Sequence, residues 1–310
     1  MKIAITGGAG FIASQIADAY LERGHDVLII DDLSTGSRSN LPANAKFTEC
    51  DIGSKTARDA LVAFKPDVLN HHAAQMDVRK SVADPLFDAK VNVLGLLNLL
   101  EACREAGTRR VLFASSGGAA YGEQERYPAD ESHATRPASP YGVAKVAGEL
   151  YINSFAQMYG WSALCLRYAN VYGPRQNAHG EAGVVAIFSL KSLAGERCTI
   201  YGDGKQTRDF VYVGDVVAAN VAGLEKPGVQ GAVNIGTGVE TDINQVQAWV
   251  AKAAGRTEGP LYQEGKRGEA RRSVLDAAYA KKVLSWQPQV PLDQGIARTV
   301  DFFRQQRAAK

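Results

Sequence analysis

Cysteine is scarce in this chain, and its four residues, Cys50, Cys103, Cys165 and Cys198, stand far apart with no CxxC spacing. That pattern offers neither a structural zinc cluster nor a disulfide framework, so no metal site is expected and the thiols read as reduced and mostly buried. Charge of one sign is also lacking: 35 Lys and Arg face 33 Asp and Glu, a formal balance of +2. The longest basic cluster, KRGEARR at 266–272, is interrupted by acid and leaves no stripe for nucleic acid. No apolar run reaches the roughly 20 residues of a membrane span, and MKIAITGG leads directly into a strand pattern with no room for a signal peptide. The expectation is a soluble, cytoplasmic protein that binds neither nucleic acid nor membrane. Internal repeats and low-complexity segments are missing as well. What remains is 310 residues, 45% hydrophobic and 22% charged, enough for one large α/β unit or a main domain with a smaller lobe.

Apolar segments of strand length alternate with longer helical patterns through the first half. Strand candidates are KIAIT (2–6), DVLII (26–30), DVLN (67–70), RVLFAS (110–115) and ALCLRYA (163–169). Helical periodicity falls on 11–24, 56–64, 85–107 and 141–160, and three of these stretches close on glycine. This alternation specifies a Rossmann-type doubly wound α/β fold, a parallel sheet with helices on both faces. After Tyr172 the regularity weakens. A helix is predicted near 184–194, strands around CTIYG and FVYV, and helices at about 242–254 and 292–307. The division predicted is a dinucleotide domain over 1–172, with 210–240 returning to it through VNIGTG, and a smaller α/β lobe over most of 173–310.

TGGAGFIAS at 6–14 follows the first strand and opens the first helix. Gly7 permits a tight turn, Gly10 lets the backbone approach a pyrophosphate, and the small Ala13 allows close packing of helix on strand. The helix N-terminus adds free amides and a favourable dipole for phosphates. Asp31, 21 residues beyond Gly10, ends the second strand, where a carboxylate accepts hydrogen bonds from ribose hydroxyls and repels a 2′-phosphate. NAD is therefore expected rather than NADP, with Arg38 the one nearby cation arguing otherwise. Asp32 beside it reads as a solvated turn residue at the edge of the same cofactor site, and CDI at 50–52 as the end of a short third strand.

Tyr141 and Lys145 in PYGVAK lie at i and i+4 and share a helix face. A free tyrosine titrates at about 10, so a phenol acting as base near neutrality needs a positive charge beside it. Ser116 follows RVLFAS at the sheet edge where such folds bind ligands, and its hydroxyl can relay a proton to Tyr141. Taken alone, the tyrosine and lysine are an ordinary surface pair; joined to the glycine turn and Ser116, they read as catalytic.

TGGAGFIAS, HHAAQMDVRKSVADP, NVLGLLNLLEACREAG, SPYGVAK, LRYANVYGPRQ and YGDGKQTRDFVYVGDV, in this order, resemble the extended short-chain dehydrogenase/reductase family. Within it the chain is most similar to the shorter bacterial UDP-glucose 4-epimerases. The resemblance implies that Tyr141 takes the proton of a sugar 4-hydroxyl while C4 passes a hydride to a tightly held NAD. The keto sugar then turns and recovers the hydride on its other face. Lys145 would hold the nicotinamide ribose and Ser116 would bridge the 4-oxygen to Tyr141. Phe11, Ile12, Asp31, Asp51, Ile52, Tyr168 and the segment His72, Ala73, Ala74, Gln75 fall on cofactor-lining positions. Asn170, Val184, Val185, Thr199, Tyr201 and Arg208 fall on the nucleotide-sugar site, Arg208 as a guanidinium fork for the diphosphate. An ion pair with Asp203 or Asp209 is the other reading of Arg208. The late phosphate motif reads Lys266, Arg267, Gly268, Glu269, leaving open which of Lys266 and Arg267 grips the diphosphate, with Glu269 on the uridine ribose.

Dehydratases of the family place an Asp-Glu pair after the strand-end serine or threonine, and UDP-glucuronate decarboxylases a glutamate; here the positions are Gly117 and Gly118. Oxidation and return of the same hydride is the chemistry left, with UDP-glucose and UDP-galactose the favoured pair. The alternatives are 4-epimerisation of UDP-N-acetylglucosamine or UDP-glucuronate, and, from another class, a non-catalytic NAD-binding sensor. Arg79 or Ser81 in QMDVRKS would meet a glucuronate carboxylate, though a solvent-facing loop charge is the plainer reading of Arg79. A homodimer through a four-helix bundle of the helices at 85–107 and 141–160 is also implied.

Overall fold

The computed structural model describes residues 1–177, 183–265 and 270–308. Ile3, Ala4, Ile5 and Thr6 are wholly buried in β1 (Lys2–Thr6), as a strand covered on both faces requires. There follow α1 (Phe11–Glu22), β2 (Asp26–Asp31), β3 (Lys46–Glu49), α2 (Lys55–Phe64), β4 (Val68–His71), α3 (Val78–Ala83), α4 (Pro85–Ala89) and α5 (Gly95–Ala106). Then come β5 (Arg110–Ser116), α6 (Gly117–Tyr121), α7 (Pro140–Tyr159) and β6 (Ser162–Tyr168). α7 begins and ends on local signals: the Ser139 hydroxyl accepts from the Gly142 amide at 3.2 Å, Pro140 takes the first turn, and left-handed Gly160 ends it.

The second half contains β7 (Asn170–Tyr172), α8 (Val184–Leu193), β8 (Thr199–Tyr201), β9 (Thr207–Tyr212), α9 (Val213–Glu225), β10 (Gly231–Ile235) and β11 (Glu240–Asp242). It continues through α10 (Ile243–Ala254), β12 (Leu261–Gln263), α11 (Ala278–Leu284) and α12 (Leu292–Ala308).

Among the described residues the largest sheet has seven parallel strands in the order β3-β2-β1-β4-β5-β6-β10. α2, α5 and α7 bury Leu61, Leu99, Leu100 and Ile152 on one face with Leu69 and Val111 of the strands. α1 and α9 cover the other with Ile16, Tyr20 and Leu224 against Ile3, Ile5 and Ile29. Strand order reverses between β1 and β4, so a crevice opens at their carboxyl ends. β7, β9 and β11 form a smaller sheet, β8 pairs with β12, and α8, α10 and α12 close a separate core on Phe188, Val246, Ile296 and Val300. α11 lies against β10 and α9, so part of the C-terminal third also rests on the large sheet. No helix of the described residues is long and apolar enough to cross a membrane.

Several boundaries differ from those predicted. Cys50–Ile52 lie after β3, not in it. FVYV is split, because Val213 already begins α9. The helix expected over 85–107 is interrupted by a π-helical turn, Lys90–Leu94, between α4 and α5. Its extra residue per turn lets Asn92 donate to both Asp88 Oδ1 (3.0 Å) and the Gln75 carbonyl (2.9 Å), and apolar periodicity does not register it. QMDVRKS is loop only as far as Asp77, which caps α3; Arg79 sits on that helix.

Candidate active site

The glycine turn is held open for a ligand. Gly7 adopts φ +71°, and a side-chain carbon there would sit 2.7 Å from the Ala73 amide nitrogen, so only glycine lets the turn after β1 meet the segment after β4. Gly10 is the N-cap of α1 and has no side chain to occupy the first amides of that helix. The amides of Phe11 and Ile12 thus face the switch-point crevice at the positive end of a 12-residue helix. Asp31 is buried at the end of β2, where its carboxylate accepts from the Ala9 (3.0 Å) and Leu33 (2.8 Å) amides. Burial raises its pKa, and the two amides oppose the rise. Asp32 is exposed and caps Ser34 in a turn. Arg38, the cation that argued for a 2′-phosphate, is paired with Glu49 and lies over the Phe47 ring. Cradle, helix terminus and buried acid therefore fit an NAD-type dinucleotide.

Asp51 is exposed and accepts from the Gly53 amide, whereas the Ile52 side chain is turned into the core against Gly95. Gln75 is held by Asn92 and by Asp88, to which its amide donates at 2.9 Å. His72 bonds through Nε2 to the Tyr168 hydroxyl at 3.1 Å, and their rings stack. Desolvation, then the charge of Lys145, push the His72 pKa down to about 3, so the ring is neutral.

Ser116 ends β5 and caps α6, its hydroxyl accepting from the Ala119 amide at 3.3 Å. The hydroxyl proton is thereby left to point elsewhere. α7 reaches this spot because Gly142 has no side chain: a Cβ there would lie 2.6 Å from the Ala119 carbonyl oxygen. Tyr141, partly buried, precedes that contact. Lys145, buried one turn on, donates to the Ala114 carbonyl at 2.9 Å and lies 5.6 Å from the centre of the Tyr141 ring and 4.9 Å from that of Phe113. Burial lowers its pKa to about 8, against the upward pull of Asp88 and Glu149.

A cavity of about 480 Å³ is lined by Asn170, Val184, Val185, Thr199, Tyr201 and Arg208, six of the residues expected to meet a nucleotide sugar; Ser116, Tyr141 and Lys145 are not in its wall. Arg208 donates to the Thr207 carbonyl at 2.8 Å. Asp203 pairs with Arg271 and Asp209 is taken up by Thr237, Gly238 and Leu275. The cavity wall adds Tyr172, Lys191, Gln206 and Phe210, none of them among the expected site residues, and the exposed Arg79, which the sequence offers either as a solvent-facing charge or as a sugar contact. Lys266, Arg267 and Glu269 lie outside the described residues. Among the described residues no cluster of three His, Cys, Asp or Glu is arranged to hold a metal ion.

Known proteins are similar to this chain over nearly its whole length. A UDP-glucose 4-epimerase of Mycolicibacterium smegmatis is 47% identical, over 98% of this chain and 99% of the relative. The crystal structure of a Thermotoga maritima UDP-glucose 4-epimerase with UDP-glucose superposes with a TM-score of 0.96 at 44% identity, covering 99% of this chain and 100% of that one. The Thermus thermophilus UDP-glucose 4-epimerase complexed with NAD gives 0.93 at 44% identity over 98% and 99% of the two chains. The sequence pattern of the NAD dependent epimerase/dehydratase family matches residues 3–236, and the chain belongs to that family.

Proposed function

We propose that the chain is a UDP-glucose 4-epimerase that interconverts UDP-glucose and UDP-galactose, with NAD as a resident cofactor. One observation carries the choice of reaction within the family. Gly117 and Gly118, the two residues that follow Ser116, carry no side chain, so neither position supplies the carboxylate that an eliminating or decarboxylating acid would need. Of Ser116, Tyr141 and Lys145, the phenol is the group read as the base, since a neighbouring ammonium favours its phenolate.

NAD, when bound, would supply the acceptor and donor for the hydride of C4. Gly7, Gly10 and the amides of α1 would hold its diphosphate, and Asp31 its ribose. The Lys145 ammonium, fixed on the Ala114 carbonyl, favours the phenolate of Tyr141, which removes the proton of the 4-hydroxyl and later gives it back. Ser116, its lone pair taken by Ala119, donates its proton toward the 4-oxygen. Arg208, Asn170 and Tyr201 grip the diphosphate and uridine, so the sugar alone is free to turn between the two hydride steps. The division proposed is a cofactor unit of residues 1–172 with 210–240, and a substrate lobe formed mainly by 173–310.

Assaying the purified protein with UDP-glucose, UDP-N-acetylglucosamine and UDP-glucuronate, and identifying the product epimers, tests the proposal; turnover confined to either of the last two would replace its sugar. Arg208→Ala should raise KM for UDP-glucose roughly 10- to 100-fold with kcat changed less, since a charge-assisted fork to a diphosphate is worth about 1.5–3 kcal/mol.

We also infer a homodimer. Leu86 on α4, Leu94 at the end of the π-helical turn, and Val143, Leu150 and Met158 along α7 are each more than half exposed, an apolar surface that a four-helix bundle of two copies would cover. Leu150→Arg should halve the mass measured by light scattering. The four cysteines are unpaired, which supports a cytoplasmic location.

A further inference from the structure

Behind the catalytic group runs a chain of buried polar side chains that the reaction does not use. Glu149, one turn beyond Lys145 on α7, accepts from the Ser115 hydroxyl (2.5 Å) and from Arg167 Nε (2.9 Å) and Nη2 (2.6 Å). The third branch of the guanidinium, Nη1, donates to the Tyr121 hydroxyl at 3.0 Å. That hydroxyl donates to Asn234 Oδ1 at 2.8 Å, and Asn234 Nδ2 donates to the carbonyls of Ala129 (3.0 Å) and Asp276 (3.2 Å). Each of the five residues is no more than 6% exposed. Every link crosses between elements: α7 to β5 and β6, β6 to α6, α6 to β10, and β10 to the point where residues 129 and 274–276 bond to each other.

A buried ion pair is poor evidence for stability, because an apolar pair of similar volume often serves as well or better. What apolar packing does not supply is direction. The bidentate fork fixes α7 against β6 in one rotation, and its remaining branch fixes α6, whose first turn Ser116 caps. Tyr141 and Lys145 stand on α7 and Ser116 on the edge of α6, so the fork and its continuation set the two halves of the catalytic group against each other. We infer that Glu149, Arg167 and Tyr121 are positioning residues that hold the Tyr141–Lys145 face in register with Ser116 and tie both to the crossing at Ala129 and Asp276. This rests on the reading of Tyr141, Lys145 and Ser116 as the reacting group.

Two variants test it. Glu149→Met with Arg167→Met removes the pair as a neutral unit, and Tyr121→Phe removes one hydroxyl from the middle of the chain. Both are compared with the wild type by hydrogen exchange of segments 117–121, 129–131 and 141–145, and by steady-state kinetics with UDP-glucose. The expected result is exchange faster by about tenfold in those segments, kcat lower by roughly 10- to 100-fold in the double variant and by several-fold in Tyr121→Phe, and KM within about twofold, because the nucleotide grip lies elsewhere. Unchanged kcat in Tyr121→Phe overturns the relay even if the double variant does not fold, and lost kcat with unchanged exchange overturns positioning as its cause. A wild type that converts no UDP-sugar would sink the functional reading instead, and exchange, measured without substrate, would still decide whether the chain couples these segments.

Discussion

Tyr141→Phe should lower the interconversion of UDP-glucose and UDP-galactose by roughly 10²- to 10⁴-fold, the range that a positioned general base contributes. The substitution removes one oxygen from a ring that stays packed at the N-terminus of α7, so helix, cofactor cradle and cavity should persist. UDP-galactose should therefore bind the variant with nearly unchanged Kd, measured by calorimetry, while kcat collapses. A fall in kcat with constant Kd is the signature of an interaction made only in the transition state. Ser116 cannot take over, because an aliphatic hydroxyl beside a cation has no tendency to hold the 4-hydroxyl proton, and His72 is turned to Tyr168 with its charge disfavoured. Near-normal turnover in Tyr141→Phe would remove the mechanism.

The sequence made this residue visible through spacing. Tyr141 and Lys145 are four apart on one helix, and the glycine turn, Asp31 and the alternation of strands and helices each leave a local signature of their own. The six cavity residues Asn170 to Arg208 were reached only through the family resemblance, since no short-range pattern marks a wall assembled from β7, α8, β8 and β9. Other parts of the centre leave no such trace. Glu149 and Arg167 are 18 residues apart on different elements, and each looks in the sequence like an ordinary charge on a helix or strand. The π-helical turn that brings Asn92 and Asp88 to Gln75 has the same apolar composition as the helix around it. Arg79 is legible only as a choice: it is exposed, as a basic residue in a polar run suggests, and it also stands on the wall of the cavity. In each case the missing information is a contact across the sheet or between lobes.

Lys145→Met should do two opposite things at once, depress activity and raise stability. Lys145 is 4% exposed, and burial holds its pKa near about 8, against 10.5 for an unperturbed lysine. At pH 7 the folded chain therefore carries a buried ammonium, a cost of roughly 3 kcal/mol at about 1.4 kcal/mol per pH unit. The groups facing it are Asp88 and Glu149, which favour its charge, and His71 and His72, which stay neutral beside it. Because the folded state releases this proton before the unfolded state does, the cost is complete below about pH 8, shrinks as pH rises toward 10.5, and is gone above it. Methionine keeps most of the stem volume and removes the charge, losing only the bond to the Ala114 carbonyl, worth about 1 kcal/mol. Urea unfolding of the cofactor-free proteins should thus find the variant more stable by roughly 2 kcal/mol at pH 7, with the gain fading by pH 10. Turnover should fall by at least about 10²-fold, since the phenolate of Tyr141 loses the charge that favours it. A variant that is both inactive and less stable at pH 7 would mean that the lysine is held there for packing. The predicted trade, stability surrendered for an ammonium placed against a phenol, is what a residue kept for chemistry should display.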